Sequence, residues 1–238
     1  MTVKLSNAAI LLRTTCAAAL LALAACQQGS DQRSDGIAAS STPTTAAATS
    51  ADQAAAASAT LAHADADMRT VLEALQELGP EPIATLSAEE ARQQPTVTDA
   101  VIAVLEEQGQ STAPEPMASV QDITISTTVE GDTAAAIPAR VYVPTGGSTP
   151  MPVIVYYHGG GWVIADLDTY DASARALAKE AGAIVVSSHY RQAPENKFPA
   201  AHNDAFAAYA WTPENVRRFG GDPSRVAVAG ESAGGNMA

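Results

Sequence analysis

Basic residues are scarce in this chain. Thirteen Lys and Arg stand against 26 Asp and Glu over 238 residues, a formal net charge of −13. Nucleic-acid backbones are held by clustered Lys and Arg, so a nucleic-acid partner is excluded. Cysteine is nearly absent as well. Cys16 and Cys26 are the two present, both near the N-terminus. No C-x-x-C pair or Cys/His cluster of zinc spacing occurs, so neither a metal site nor a disulfide framework is expected in the folded part. The one long apolar stretch, Thr14 to Ala25, is too short to cross a bilayer as an ordinary helix.

That short stretch has a reading of its own. Met1 to Arg13 carries Lys4 and Arg13 and no acid, so the two segments form the charged and apolar regions of an export signal. They close on Leu23-Ala-Ala-Cys26, which resembles the lipobox of bacterial lipoproteins. The resemblance implies a signal peptide over residues 1–25, cleavage before Cys26, and a lipid on Cys26 that binds the protein to a membrane. Gln27 replaces the aspartate that usually retains such proteins in the inner membrane, which implies the outer membrane of a Gram-negative bacterium. Residues 26–60 then hold Ser, Thr, Ala, Gln and Asp, with Ile37 the one large apolar side chain. Such a segment buries too little surface to offset its ordering entropy and reads as a disordered tether.

Helical signals fill residues 61–118. Met68, Val71, Leu72, Leu75 and Leu78 mark one helix face, stopped by Gly79-Pro80. Ser87-Ala-Glu-Glu90 has the capping-box form and Pro95 ends that helix. Val101, Ile102, Val104 and Leu105 mark a third, ending at Gly109. From Val120 the period becomes two. Ile123 and Ile125, then Ile137, Ala139, Val141 and Val143, predict a hairpin turning at Glu130-Gly-Asp132 with one face wet. Val153–Tyr157 and Ala183–Val186 do not alternate, which suits strands covered on both faces of a mostly parallel sheet. Asp168 is placed to cap a helix running to Ala181, with Gly182 as its stop. Pro199 starts another to Trp211, and Thr212-Pro213 restarts a short one ending at Gly220. Val226–Ala229 is the last strand. Alternating strands and helices predict an α/β doubly wound sheet.

Two motifs follow the ends of buried strands, where open α/β sheets bind ligands. Gly230-Glu-Ser-Ala-Gly234 has the G-x-S-x-G form of a nucleophile elbow, a strained strand-to-helix turn that lifts Ser232 clear of the sheet. His158-Gly-Gly-Gly-Trp162 offers backbone N–H groups that can approach a small anion closely. The donors would be Gly160, Gly161 and Ala233. His158, Gly159, Trp162, Gly230, Glu231 and Gly234 support the two motifs. Trp162 could equally line a cleft or pack a wall. Arg191 and Glu195 read as a local ion pair bracing a loop, and Asp168 and Asp171 as helix-start residues.

From about Met68 to Ala238 the sequence resembles the bacterial branch of the hormone-sensitive-lipase family of α/β-hydrolases. His158–Trp162 matches the family's H-G-G-G-[FW] and Gly230–Gly235 its G-[DE]-S-A-G-G. Tyr190-Arg-Gln-Ala-Pro-Glu195 with Phe198-Pro-Ala200, and Gly220-Gly-Asp-Pro223, match the stretches between. The resemblance implies an α/β-hydrolase fold over 119–238, incomplete after the elbow, under a cap of helices at 61–118. It implies a carboxylic ester as substrate, Ser232 as nucleophile, and neither metal nor cofactor. The family's Asp and His follow the elbow on later loops, so both are expected to be missing here and the chain as written inactive. Two alternatives stay open: an amide or formamide hydrolase of this fold, and a non-catalytic small-molecule-binding protein built on it.

Overall fold

The computed structural model describes residues 61–126 and 135–238. The export signal, Cys26, the tether and the Glu130–Asp132 turn lie outside the described residues. Three helices come first: α1 (Ala66–Glu77), α2 (Ala88–Arg92) and α3 (Val97–Glu107). Each start is set by a side chain that relieves the unpaired first-turn amides. Asp65 accepts from the Met68 N–H, while Ser87/Glu90 and Thr96/Asp99 form complete capping boxes. Val71, Ala100, Val101 and Leu105 bury their side chains in a cluster of their own between α1 and α3. Leu78 and Ile102, counted above among the apolar faces, are exposed.

The remainder is one five-stranded sheet in the order β1-β2-β4-β3-β5. Its strands are β1 (Ser119–Ser126), β2 (Ala136–Val143), β3 (Met151–Tyr157), β4 (Ile184–Ser188) and β5 (Gly221–Gly230). The hairpin is present, with Ile125 opposite Ile137. A mostly parallel sheet is not what the described strands form. β1, β2 and β4 pair antiparallel, and only β4, β3 and β5 are parallel, so the sheet is mixed. The β2–β4 pairing is the cause, since it joins the hairpin to the buried strands from the opposite direction.

Side chains alternate across the inner strands and build a core on each face. Tyr142, Tyr156 and Val185 meet Ala174 and Ala178 of α4 (Asp171–Ala181). Val141, Val153, Val155, Tyr157, Ile184 and Val186 meet Ala201, Ala205 and Ala208 of α5 (Ala200–Asn215). Alanines on the helices let the larger strand side chains close against them, and each buried Val or Ile contributes about 1.5–3 kcal/mol.

Two local expectations change. Asp168 does not cap α4, whose start has no side-chain cap, while Asp171 is its first residue as expected; both are drawn to Arg140, at 2.7 and 3.4 Å. Asp166 holds the preceding turn by accepting from the Asp168 and Thr169 N–H groups. Helix α5 continues through Pro213 to Asn215 rather than breaking at Thr212. The buried Thr212 hydroxyl donates to the Ala208 carbonyl at 2.8 Å, and the extra turn delivers Val216 fully into the core. Gly182 does stop α4, in the left-handed conformation.

Candidate active site

β3 and β5 are parallel neighbours with Tyr157 opposite Gly230, so the chain leaves both strands side by side at one sheet end. After β5 it turns through Glu231 and Ser232 into α6 (Ala233–Met237). Ser232 sits at φ 51°, ψ −114°, a conformation a non-glycine residue adopts only under constraint. The Glu231 N–H donates to the Tyr157 carbonyl at 3.3 Å, and Asn236 N–H to that of Ser232 at 3.0 Å. The flanking glycines are steric necessities. A Cβ on Gly234 would lie 2.6 Å from the His158 carbonyl oxygen, and one on Gly230 2.8 Å from the Gly235 nitrogen. Helix α6 thus crosses the start of the glycine loop in backbone contact.

The orientation of that loop follows from where its carbonyls go. In a trans peptide the C=O and the following N–H point in opposite directions. The Gly159 carbonyl accepts from His158 Nδ1 at 2.7 Å and from the Tyr190 hydroxyl at 3.3 Å, which turns the Gly160 N–H away from both. The Gly160 carbonyl accepts from the Val163 and Ile164 N–H groups at 3.0 and 2.9 Å, which turns the Gly161 N–H outward likewise. Gly160 has φ 112° and a Cβ there would lie 2.8 Å from the Ile164 carbonyl carbon, so no other residue fits. Ala233 opens α6, and its N–H has no acceptor within the helix. The Tyr170 hydroxyl lies against Gly159, 2.6 Å from where a Cβ there would stand.

His158 is fully buried, stacked on Tyr190 with ring centroids 4.4 Å apart. Burial lowers its pKa to about 4, so it is neutral at pH 7, with its Nδ1 proton on the Gly159 carbonyl. Its Nε2 meets His189 Nδ1 at 3.3 Å. Neither ring is bonded to Ser232. His202 Nε2 lies 3.2 Å from Asn236 Oδ1, and its ring stacks on Trp162 at 6.1 Å. His63 lies before α1. Trp162 takes φ 61° and packs half-buried against the sheet core, with its indole nitrogen buried and without a partner. The Glu231 carboxyl accepts from the Tyr156 hydroxyl at 2.5 Å, while its other oxygen is buried and unpartnered; burial raises its pKa.

The Arg191–Glu195 pair does not form. Arg191 closes on Asp204 at 2.7 Å, a carboxylate wholly buried in α5. Glu195 instead takes both terminal nitrogens of Arg92, at 2.9 and 2.7 Å, and is held down to a pKa of about 2 by that bond. Arg92 and Tyr170 are neighbours of the glycine loop that no motif announced, and Gln192 is one to which the Tyr190–Glu195 stretch gave no role. The one hint for Arg92 was that it lies in the last turn of a helix ending near Pro95.

Residues 154–238 match the model of a family described by its alpha/beta hydrolase fold. Carboxylesterase NlhH of Mycobacterium tuberculosis is 56% identical over 110 residues, 46% of this chain and 34% of that protein. The ethyl acetate hydrolase of Pseudomonas putida is 36% identical over 159 residues, 66% of this chain and 46% of that protein. A hyperthermophilic esterase from the archaeon Pyrobaculum calidifontis superposes with a TM-score of 0.55 at 40% identity, over 70% of this chain and 48% of that one. The chain has the α/β-hydrolase fold. It spans less than half the length of these relatives.

Proposed function

We propose that this protein is a serine ester hydrolase of the hormone-sensitive-lipase branch. One observation carries the reading: Ser232 is held at positive φ between β5 and α6, beside a loop whose anchored carbonyls leave the Gly160 and Gly161 N–H groups without backbone acceptors among the described residues. The Ser232 hydroxyl attacks the ester carbonyl carbon and gives its proton to a base. The carbonyl electron pair moves onto oxygen, where Gly160, Gly161 and Ala233 N–H groups receive it. Collapse re-forms the carbonyl and expels the alkoxide, which takes up the proton; water then repeats the sequence on the acyl-enzyme. Each preorganised donor contributes ~3–4 kcal/mol to the transition state. None of His158, His189 and His202 is bonded to Ser232, and this reading assigns the base to none of them. Relatives named for ester hydrolysis support the substrate class.

The test is hydrolysis of p-nitrophenyl butyrate by the full-length protein, together with mass spectrometry after a fluorophosphonate. Ser232→Ala should abolish both turnover and the covalent adduct. Turnover that survives Ser232→Ala, or an adduct elsewhere, would sink the assignment.

We further propose that the protein is exported and held on the outer membrane through lipid on Cys26. A single acyl chain binds only marginally, so several on one residue are needed for firm anchoring. Cys26→Ala should shift the protein from the membrane to the soluble fraction; an unmodified Cys26 in the mature chain would refute it.

A further inference from the structure

Four consecutive carbonyls of the loop that follows the glycines are held from outside it. The Ala193 N–H donates to the Trp162 carbonyl at 2.8 Å, and Arg92 Nε to that of Val163 at 2.8 Å. Gln192 Nε2 donates to those of Ile164 and Ala165 at 2.9 and 2.8 Å. Three of these bonds come from the adjoining 192–193 segment. The fourth comes from α2, 71 residues earlier in the chain. The same guanidinium donates to the Ala193 carbonyl at 2.8 Å and takes the Glu195 carboxylate in a two-nitrogen fork. Arg92 therefore bonds both the loop and the segment gripping it.

We propose that Arg92 is a positioning residue for the oxyanion donors, acting through the Val163 carbonyl; this rests on the ester-hydrolase reading above. Val163 and Ile164 N–H groups hold the Gly160 carbonyl, and that carbonyl aims the Gly161 N–H. Fixing the Val163 carbonyl from α2 fixes the peptide plane between Val163 and Ile164, and so one of the two donors to Gly160. Arg92 makes four bonds from three separate nitrogens, more than the three N–H groups on the single nitrogen of an ammonium supply. The Glu195 ion pair is half-exposed, with side-chain accessibilities of 30% for Arg92 and 56% for Glu195, so solvent screens most of its direct energy. The bonds to the Val163 and Ala193 carbonyls, rather than this ion pair, hold the guanidinium against the loop.

Two variants separate positioning from plain tethering. Arg92→Ala removes the carbonyl contacts, whereas Glu195→Gln removes the charge pair and leaves Arg92 in reach of Val163. In full-length protein, Arg92→Ala should lower kcat about tenfold with KM changed less than about twofold, because a misaimed donor is felt mainly in the transition state. Affinity for an alkylboronate, which mimics the tetrahedral oxyanion, should fall in the same proportion. Glu195→Gln should keep most of kcat, and Arg92→Lys should restore little. Amide hydrogen exchange over 160–165 should quicken in Arg92→Ala and stay near the parent in Glu195→Gln, which gives a readout that does not need turnover. Equal loss of kcat in Arg92→Ala and Glu195→Gln, or unchanged kcat and unchanged exchange in Arg92→Ala, would overturn the proposal. A parent whose hydrolysis is indifferent to Ser232→Ala would instead remove the reading beneath it.

Discussion

Gly234→Ala tests the elbow geometry with a single methyl group. A Cβ at Gly234 would stand 2.6 Å from the His158 carbonyl oxygen and from the Tyr157 carbonyl carbon, where ordinary contact starts at 3.4 Å. The obstacle is backbone in β3 and the glycine loop, so it cannot rotate aside. Helix α6 would have to withdraw by at least the difference, ~0.8 Å, and carry the Ala233 N–H and Ser232 with it. Displacements near 1 Å at a reacting centre reduce rates about 10²-fold. Overpacking of this kind also destabilises by about 1–3 kcal/mol. Gly182→Ala is the control, since Gly182 has φ 57° but open space around its Cβ position. That variant should cost only about 1 kcal/mol of left-handed strain and leave the site intact. Urea denaturation gives the stability of each, and the rate of fluorophosphonate labelling at Ser232 gives the geometry. If both variants label at the parent's rate, the close crossing of α6 over β3 does not govern the nucleophile and the steric argument fails.

Other expectations follow from burial and charge. Asp204→Ala leaves the Arg191 guanidinium without its buried carboxylate and should cost about 3–5 kcal/mol, whereas Asp122→Ala, opposite Arg140 at the surface, should cost under about 1 kcal/mol. Urea midpoints distinguish the two, and equal losses would refute the burial argument. His158 is neutral in the fold, with a pKa depressed to about 4 by burial. Its unfolded form binds more protons between pH 6.5 and 4, so its contribution to stability is full above about 6.5 and is lost as pH falls toward 4. Replacing His158 with Gln should flatten stability against pH over that window, measured by thermal melting at each pH; an unchanged slope would place the titration elsewhere.

Features set by one residue's own backbone or by a short period were legible in the sequence. The glycines at 160 and 230 are required by clashes with residues four or five further on, so the glycine run and the start of G-x-S-x-G announce their geometry directly, whereas Gly234 is required by the distant Tyr157 and His158 carbonyls. The capping boxes and the hairpin pairing are equally local. Ion-pair partners were not legible. Arg191 and Glu195 stand four apart, a spacing that suggests contact, yet the segment is not helical and each side chain finds a partner on another element. Asp168 looked like a cap because nothing in sequence brings Arg140 beside it; only the register of β2 against β1 and β4 does so. Pro213 marked a helix break by its missing N–H, but Thr212 and Val216 are buried so favourably that α5 runs past it.

The core between α1 and α3 is separate from the two cores of the sheet. Among the described polar contacts, the three N-terminal helices reach the rest of the fold through Arg92 on α2, which bonds the 163 and 193–195 segments, and through the Thr98 hydroxyl on α3, which donates to the Thr169 carbonyl at 2.9 Å. A unit with its own small core and few ties opens at less than the global unfolding free energy. The helices can therefore detach while the sheet stays folded, taking the Val163 contact with them. Heat inactivation would then precede loss of sheet structure on warming, and early proteolytic nicks would fall between residues 78 and 87 before any in the strands. Activity on warming would then follow the least stable unit, through the Arg92 contact.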